Sequence, residues 1–211
     1  MRITRCSGTG EQTGLLLPAL CLLLTTVAAC GKTPPFAPAT VVPTKTSLPY
    51  TATVELATVG AFLVQPGATM SPDPNLQNRI TGSVPSHTND KDAWEQALVD
   101  YVASRRTFRS VVRQGASNVR LAVRMLIYID PGLGFQFKTI YVARATGTLS
   151  DAATGRVMRE YSGFGKSAGV VRRTSTDDDK VPVNQAVHGA LSDLFGQLES
   201  DRPLNVLYLA G

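Results

Sequence analysis

The chain has 211 residues, with 21 basic and 16 acidic side chains and a formal net charge of +5 at pH 7. This length suits one folded domain with a sizeable core. Only 3 cysteines and 2 histidines occur, which argues against a disulfide-rich scaffold and against a zinc centre built from these ligands.

The first feature in chain order is an apolar run of 15 residues from Leu15 to Ala29, preceded by Arg2 and Arg5. A helix needs about 20 apolar residues to cross a bilayer, and this run is shorter and interrupted by Pro18. A basic start, a short apolar run and small residues at its end are typical of a secretory signal. We therefore predict that residues 1–29 are a signal peptide.

The apolar run ends in Val27-Ala28-Ala29-Cys30, followed by Gly31. This arrangement resembles the lipobox of bacterial lipoprotein signal peptides. In that family the cysteine is diacylated and becomes the first residue of the mature protein, so the resemblance implies a lipid anchor at Cys30. The alternative is an ordinary signal peptidase site at which Cys30 is incidental. Gly31 in place of aspartate implies, by the same resemblance, the outer membrane and its periplasmic face.

Export of the chain would determine whether its other cysteines can form a disulfide and which partners its positive charge can meet. Cys6 and Cys21 lie in the predicted signal peptide, so the mature chain has no pair of cysteines for a disulfide, although its compartment is oxidising. Nucleic acid is not an expected partner of an exported protein. The positive charge indicates either an ordinary solvated surface or contact with anionic lipid headgroups.

Residues 30–49 contain five prolines and several Thr and Ser residues, which favours an extended tether over regular structure. Residues 50–211 are predicted to form a single α+β periplasmic domain. Its first strand covers residues 51–64, which are rich in β-branched residues and begin with polar and apolar residues in alternation. Residues 65–89, with four prolines, are predicted to be a long surface loop with a short structured piece near Leu76–Ile80.

The first helix is predicted at residues 90–104, capped by Asn89 or Asp90. Its apolar residues fall at helical spacing on one face: Trp94, Ala97, Leu98, Tyr101 and Val102. The last helix is predicted at about Asn184–Ser200, with an apolar stripe of Val187, Leu191, Leu194 and Leu198. The loop at residues 168–182 precedes it, and Leu204–Leu209 follow as a short strand or a tail.

Between the helices, alternating patterns predict strands at residues 108–112, 119–129, 135–149 and 157–167. Residues 151–156, DAATGR, predict a tight hairpin. Gly163 and Gly165 indicate an edge, a bulge or a close packing point. The predicted fold is α+β, an antiparallel sheet of three to five strands with two helices packed on one face.

This layout resembles a broad class of exported bacterial lipoproteins: the periplasmic domains of curli-secretion-channel proteins, the outer-membrane lipopolysaccharide-assembly lipoprotein and auxiliary lipoproteins of ABC transporters. The residues that carry the resemblance are Ala93–Ser104, Arg106–Val111, Val119–Ile129, Leu149–Arg156 and Asn184–Leu198. It covers roughly residues 52–200. Since such proteins are mostly accessories and scaffolds, the resemblance implies a protein that is not an enzyme.

The sequence contains no motif for catalysis. His87 and His188 lack metal-site spacing, no serine stands in a G-x-S-x-G elbow, and Glu160 occupies the glycine position that a phosphate loop ending at Gly165-Lys166-Ser167 needs. The acidic run 177–179 is interpreted as a solvated loop rather than a cation site. We therefore predict no catalytic residue, metal or cofactor.

Six arginines lie within 20 residues: Arg105, Arg106, Arg109, Arg113, Arg120 and Arg124. Arginine binds phosphate bidentately, so Arg120, Arg124, Arg109 and Arg113 are predicted contacts for an anionic ligand. The alternative is a solvated sheet face with ion pairs to Asp92, Glu95 or Asp100.

The sequence thus favours an accessory lipoprotein of envelope assembly or transport, whose partners are the membrane and other envelope proteins, contacted through a sheet edge or a helix face. The alternative is a transport component that binds phospholipid or glycolipid directly. A groove lined by Phe135, Phe137 and Tyr141 would favour the alternative, and a flat polar sheet would favour the first hypothesis. A pocket of converging carboxylates would instead indicate a hydrolase.

Overall fold

The structure, a computed structural model, describes residues 41–45, 47–70, 75–132, 138–171 and 179–201. Cys30, the predicted signal peptide, Phe135, Phe137, Asp177, Asp178 and Leu204–Leu209 lie outside these residues. The strands are β1 (Leu48–Val64), β2 (Ile80–Ser83), β3 (Phe108–Val112), β4 (Val119–Asp130), β5 (Lys138–Asp151), β6 (Val157–Lys166) and β7 (Val170–Val171). The helices are α1 (Lys91–Arg105) and α2 (Lys180–Ser200), and three short 3-10 helices cover Ala68–Met70, Leu76–Arg79 and Pro85–His87.

The seven strands form a sheet with the order β2-β1-β4-β5-β6, in which β3 also pairs with β1 and β7 with β5. Four pairings are antiparallel: β1 with β2, β4 with β5, β5 with β6, and β5 with β7. Both β3 and β4 pair with β1 in parallel. The α+β class is confirmed. The predicted size of three to five strands is wrong, since the sheet has seven. The prediction of an antiparallel sheet is wrong for the pairings of β3 and β4 with β1. Helix α1 returns the chain to the end at which β1 starts, so the strand that follows runs parallel to β1.

Both helices cover the same face of the sheet, as predicted. Alternate residues of the strands point to that face and join the buried sides of α1 and α2 in one apolar cluster. Its largest fully buried side chains include Trp94 and Tyr101 from α1, Phe195 from α2 and Tyr141 from β5. The predicted stripes of both helices are all buried. Burying each such side chain contributes roughly 1.5–3 kcal/mol.

The helix boundaries reflect local chemistry. Asp90 is the N-cap of α1, and its carboxylate accepts a hydrogen bond from Ala93 N–H at 3.2 Å. At the other end, Arg106 takes the left-handed conformation, with φ of 60°. Helix α2 begins at Lys180, one turn before the predicted start, because a proline such as Pro182 is tolerated in a first turn, where its missing N–H has no helical acceptor.

Two glycines of β6 let α2 approach the sheet closely. A Cβ atom at Gly163 would lie 2.0 Å from the Ala190 carbonyl oxygen, and one at Gly165 would lie 2.0 Å from the Ala186 carbonyl oxygen. Any larger residue would collide with helix backbone. Of the three predicted explanations for these glycines, two are observed, since they pack closely against α2 and lie on an edge strand.

The segment after β1 covers part of the sheet face opposite the helices, near the end at which β4 finishes. Ala68 and Leu76 are buried there against a second apolar cluster that includes Leu126, Tyr128 and Val142. The predicted surface loop at residues 65–89 is therefore wrong in part, since this segment also supplies strand β2. The packing of this segment was not predicted, because its prolines and glycines favour a loop and only two isolated residues, Ala68 and Leu76, make the buried apolar contacts.

Asp130, fully buried at the end of β4, fastens this segment. Its carboxylate accepts hydrogen bonds of 2.8 Å from the N–H groups of Gly67, Thr69 and Gly132 and from the Thr69 hydroxyl. Burial by itself would raise the pKa of Asp130, but the hydrogen bonds from Thr69, Gly132 and Gly67 outweigh it and hold the pKa below its usual value.

The folded region starts earlier than residue 50. Leu48, predicted to lie in the tether, is buried in β1, and its N–H donates to the Thr107 carbonyl at 2.8 Å. Thr44 N–H donates to the Arg105 carbonyl at 2.8 Å. Among the described residues, no helix is both long enough and apolar enough to span a bilayer.

Candidate functional site: the open face of the sheet

The face of the sheet opposite the helices is polar and open over its central part. We call this surface the open face, and it consists of the outward residues of β1, β4, β5 and β6. It exists because these strands alternate: Leu121, Val123 and Met125 point to the helices, so Arg120 and Arg124 point away. On β5 the same alternation turns Arg144 outward.

Strand register sets these side chains in rows across the open face. From β1 to β6 the rows are Thr53, Arg120, Ser150 and Val157; then Glu55, Ala122, Thr148 and Glu160; then Thr58, Arg124, Thr146 and Ser162; then Gly60, Leu126, Arg144 and Phe164. Directly opposed residues lie about 4.5–5.5 Å apart at Cβ. The arginines are therefore interleaved with hydroxyl groups, which is a surface able to donate many hydrogen bonds.

Within the described part of the chain, these arginines are weakly engaged. Arg120 lies 4.0 Å from Glu55, and both side chains are exposed, so water screens the pair. Arg144 Nε donates to Ser162 Oγ at 3.3 Å. The charges of Arg144 and Arg124 also act on Tyr128. Burial raises the pKa of Tyr128 above its usual value, and a hydrogen bond with Gln77 and these two charges only partly offset that rise.

An open depression of about 460 Å³ adjoins the open face where the β3–β4 loop crosses β1. The loop is held there by a hydrogen bond of 2.9 Å from Thr53 Oγ1 to Ser117 Oγ. The lining residues are Thr53, Arg113, Gln114, Gly115, Ala116, Ser117, Arg120, Ala152 and Ala153. They include two arginines and no carboxylate, so the depression suits an anion.

The structure separates the four arginines predicted to contact an anion. Arg120 and Arg124 share the open face, and Arg113 meets Arg120 at the depression. Arg109 lies on β3 next to Ser110, whose hydroxyl group is 2.8 Å from that of Thr51 on the open face. Because β3 lies on the opposite edge of β1 from β4, Arg109 does not join the other three.

Arg105 has a structural role instead. Its guanidinium donates from Nε and from a terminal nitrogen to Glu199 at 2.8 and 2.9 Å, and the Thr107 hydroxyl donates to the same carboxylate at 2.7 Å. The hydrogen bonds that Arg105 donates to Glu199 raise the pKa of Arg105. Arg105 pairs with Glu199, and Arg120 lies 4.0 Å from Glu55, so the carboxylates beside these two arginines are not the predicted Asp92, Glu95 or Asp100.

Sequence reasoning missed Arg144, and it left open whether Phe164 is a packing aromatic or an interface aromatic. Arg144, Thr146 and Thr148 alternate with buried residues of β5, so extending the period-2 pattern used for β4 would have found them. Phe164 is 49% exposed because Gly163 and Gly165 beside it take the helix side. An exposed aromatic beside an arginine is typical of contact surfaces.

Side chains of α1 and α2 form hydrogen bonds with backbone groups of the strands. Phe164 N–H, on the outer edge of β6, donates to the Asp193 carboxylate at 3.0 Å, and Gln197 donates to the Ser162 carbonyl at 3.0 Å. On β1, Leu56 N–H donates to Glu95 at 3.2 Å. Carboxylates at an edge oppose the addition of a further strand, so the open face is the more accessible surface.

Three other polar predictions can be compared with the structure. Asp179 is buried and accepts a hydrogen bond from the Tyr141 hydroxyl, so the solvated-loop prediction is wrong for this residue. His188, which lacks metal-site spacing in the sequence, is half-buried and packs edge-on against Tyr101, with ring centroids 5.7 Å apart. No group of three or more His, Cys, Asp or Glu residues suited to a metal occurs in the described ranges.

No known protein family matches the sequence, and no curated protein matches it significantly. Solved structures that are similar include a Helicobacter pylori homologue of a neuraminyllactose-binding hemagglutinin, with 10% identity, 81% of this chain and 97% of that chain covered, and a TM-score of 0.43. A Xanthomonas campestris protein has 16% identity, coverage of 78% and 94%, and a TM-score of 0.35. A Neisseria meningitidis lipoprotein has 13% identity, coverage of 70% and 97%, and a TM-score of 0.21. The function must therefore be argued from this chain's own residues.

Proposed function

We propose that this protein is a non-enzymatic accessory lipoprotein of the cell envelope, held at the periplasmic face of the outer membrane by acylated Cys30. It acts through contacts with another envelope protein in assembly or transport. The Val27–Cys30 pattern and the proline-rich residues after it support the anchor.

The open face carries this proposal, because its centre places Arg124 and Arg144 among hydroxyl groups on a surface that the helices leave free. Arginines so placed fit carboxylates on a partner protein, and Phe164 adds an apolar contact. Tyr141, which the lipid-binding alternative places in a groove, is fully buried. The partner is therefore a protein with an acidic surface.

Photocrosslinking in intact cells tests the contact. A photoreactive amino acid at Thr148, in the middle of the open face, is expected to crosslink one envelope protein, identified by mass spectrometry. The same group at exposed Asp100 on α1 is the matched control and is expected to give no such product. Crosslinking from Asp100 alone, or to lipid alone from Thr148, would contradict the proposed contact.

Charge reversal tests the role of the arginines. In the crosslinking strain, Arg124→Glu with Arg144→Glu is expected to reduce the product about a hundredfold, since each of the two interfacial charge pairs contributes roughly 1.4 kcal/mol or more. Lys91→Glu, at the exposed start of α1, is the control and is expected to leave the product unchanged. The anchor is tested separately, because Cys30→Ala is expected to abolish acyl labelling and membrane retention.

A further inference from the structure

One end of the domain gathers exposed arginines beyond the centre of the open face. Asn118 N–H donates to the Thr51 carbonyl at 2.8 Å, and Ala152 N–H donates to the Asn118 carbonyl at 3.0 Å. Together with the bond from Thr44 to Arg105, these contacts bring the start of β1, the end of α1, the β3–β4 loop and the β5–β6 hairpin to the same end. We call it the basic end and define it by its exposed arginines: Arg106, Arg113, Arg120 and Arg156.

The carboxylates near the basic end are occupied. Asp151 accepts hydrogen bonds from the N–H groups of Ala153 and Thr154 within its own turn, at 3.1 and 2.7 Å. Glu199 is bound by Arg105 at 2.8 Å, and Asp201 lies 3.4 Å from Arg159. Glu55 lies 4.0 Å from Arg120, and Asp151 keeps its negative charge near Arg156. The four arginines outnumber these two carboxylates, so the basic end presents net positive charge to its surroundings.

The depression at this end fits a phosphate group. Arg113 and Arg120 line it together with the Ser117 hydroxyl, and a guanidinium can donate two parallel hydrogen bonds to one phosphate. A headgroup needs little enclosure, since its lipid remains in the bilayer. An open depression therefore suits a phosphate at a membrane surface.

The chain also enters the domain at the basic end. Ten residues separate Cys30 from Val41, the first described residue, and a fully extended segment of this length spans about 40 Å at most. One lipid modification combined with a basic patch is a recurrent two-part membrane attachment. An anchor at Cys30 therefore keeps the basic end nearer to the bilayer than a free domain would be.

We propose that the basic end docks onto anionic phospholipid headgroups of the membrane that holds the anchor, with a headgroup phosphate bound between Arg113 and Arg120. This inference rests on the proposed anchor at Cys30. Docking turns the domain so that β1 leads away from the membrane and the centre of the open face stays free for a protein partner.

Hydrogen exchange on the acylated full-length mature protein in nanodiscs tests the docking. Amides of residues 113–118 and 151–156 are expected to exchange about fivefold more slowly or better in discs with 30% phosphatidylglycerol than in pure phosphatidylcholine, since each arginine near an anionic surface contributes about fivefold. The difference is expected to vanish at about 0.5 M NaCl. Equal exchange in both discs at low salt would overturn the proposal.

Variants and free phosphate complete the test. Arg113→Gln with Arg120→Gln is expected to remove the lipid difference, whereas Arg124→Gln, in the centre of the open face, is expected to retain it. If inorganic phosphate in phosphatidylcholine discs gives the same protection, the depression binds a soluble anion and the membrane docking is wrong. Mass analysis of the N-terminal peptide reports acylation of Cys30 independently, so failure of the anchor is distinguishable from failure of the docking.

Discussion

Replacing Gly165 by alanine is expected to force α2 away from the sheet. The added Cβ would lie 2.0 Å from the Ala186 carbonyl oxygen and 2.4 Å from the Ala190 nitrogen, whereas real Cβ atoms essentially never come closer than 3.0 Å. Because both obstacles are helix backbone, no side-chain rotation relieves the collision. The helix must move by about 1 Å, and a gap of that size forfeits a quarter to a half of each dispersion contact that it opens.

We expect overpacking to cost about 3 kcal/mol of unfolding free energy. Alanine also restricts the unfolded chain, which offsets up to about 1 kcal/mol, so the net loss is about 2 kcal/mol or more. Urea denaturation followed by the fluorescence of Trp94, the single and fully buried tryptophan, measures it. With a slope of about 2 kcal/mol per molar urea, the midpoint should fall by about 1 M.

Gly82→Ala is the matched control, since a Cβ there meets nothing within 4 Å and the midpoint should barely move. If Gly165→Ala unfolds at the same urea concentration as this control, the close approach of α2 to β6 does not exist and the reasoning is refuted.

Three further variants test individual contacts. Asp130→Asn is expected to lose about 3 kcal/mol at neutral pH, because an amide group faces N–H donors. Since the folded-state pKa is lowered, the wild-type advantage is complete above about pH 4 and shrinks as the pH falls below that; a denaturation series across pH 2–7 that shows a constant difference would contradict this. Glu199→Gln should cost about 3 kcal/mol by leaving Arg105 unpaired, and Arg105→Met with Glu199→Leu should recover most of it in the same assay; equal loss in both variants would count against the ion pair. Asp193→Ala frees Phe164 N–H at the edge and should promote self-association, measured by sedimentation velocity; a sedimentation coefficient equal to that of the wild type would argue against edge protection.

Local patterns predicted the elements that local interactions determine. The α1 face, the α2 stripe and the hairpin at residues 151–156 are confirmed because helical periodicity and turn chemistry act over a few residues. Asp151 begins that turn by accepting hydrogen bonds from Ala153 and Thr154, and Gly155 ends it with φ of 70°.

Pairing across long separations was not predictable from periodicity. The alternation of β4 indicates which side chains share a face, but it carries no information about which strand lies beside it. Its parallel position against β1 depends on the path of the whole intervening chain. The same limit applies to Asp130, whose partners Gly67 and Thr69 are more than 60 residues away.

The candidate site was predicted in the same partial way. Alternation placed Arg120 and Arg124 together, and the structure adds Arg144 by pairing β5 with β4. Arg109 was grouped with them only by closeness in sequence. Its separation follows from β3 lying on the opposite edge of β1 from β4.

The position of β1 between later strands has a consequence for how the chain folds. Thr51 contacts Ser110 and Asn118, which follow it by 59 and 67 residues. During synthesis or export, β1 therefore emerges long before either parallel neighbour, with a row of apolar residues and unpaired backbone groups. Sheets of such high contact order form slowly, and an unpaired strand of this kind is prone to aggregation. A chaperone that holds β1 until α1 and β4 have arrived would address both hazards.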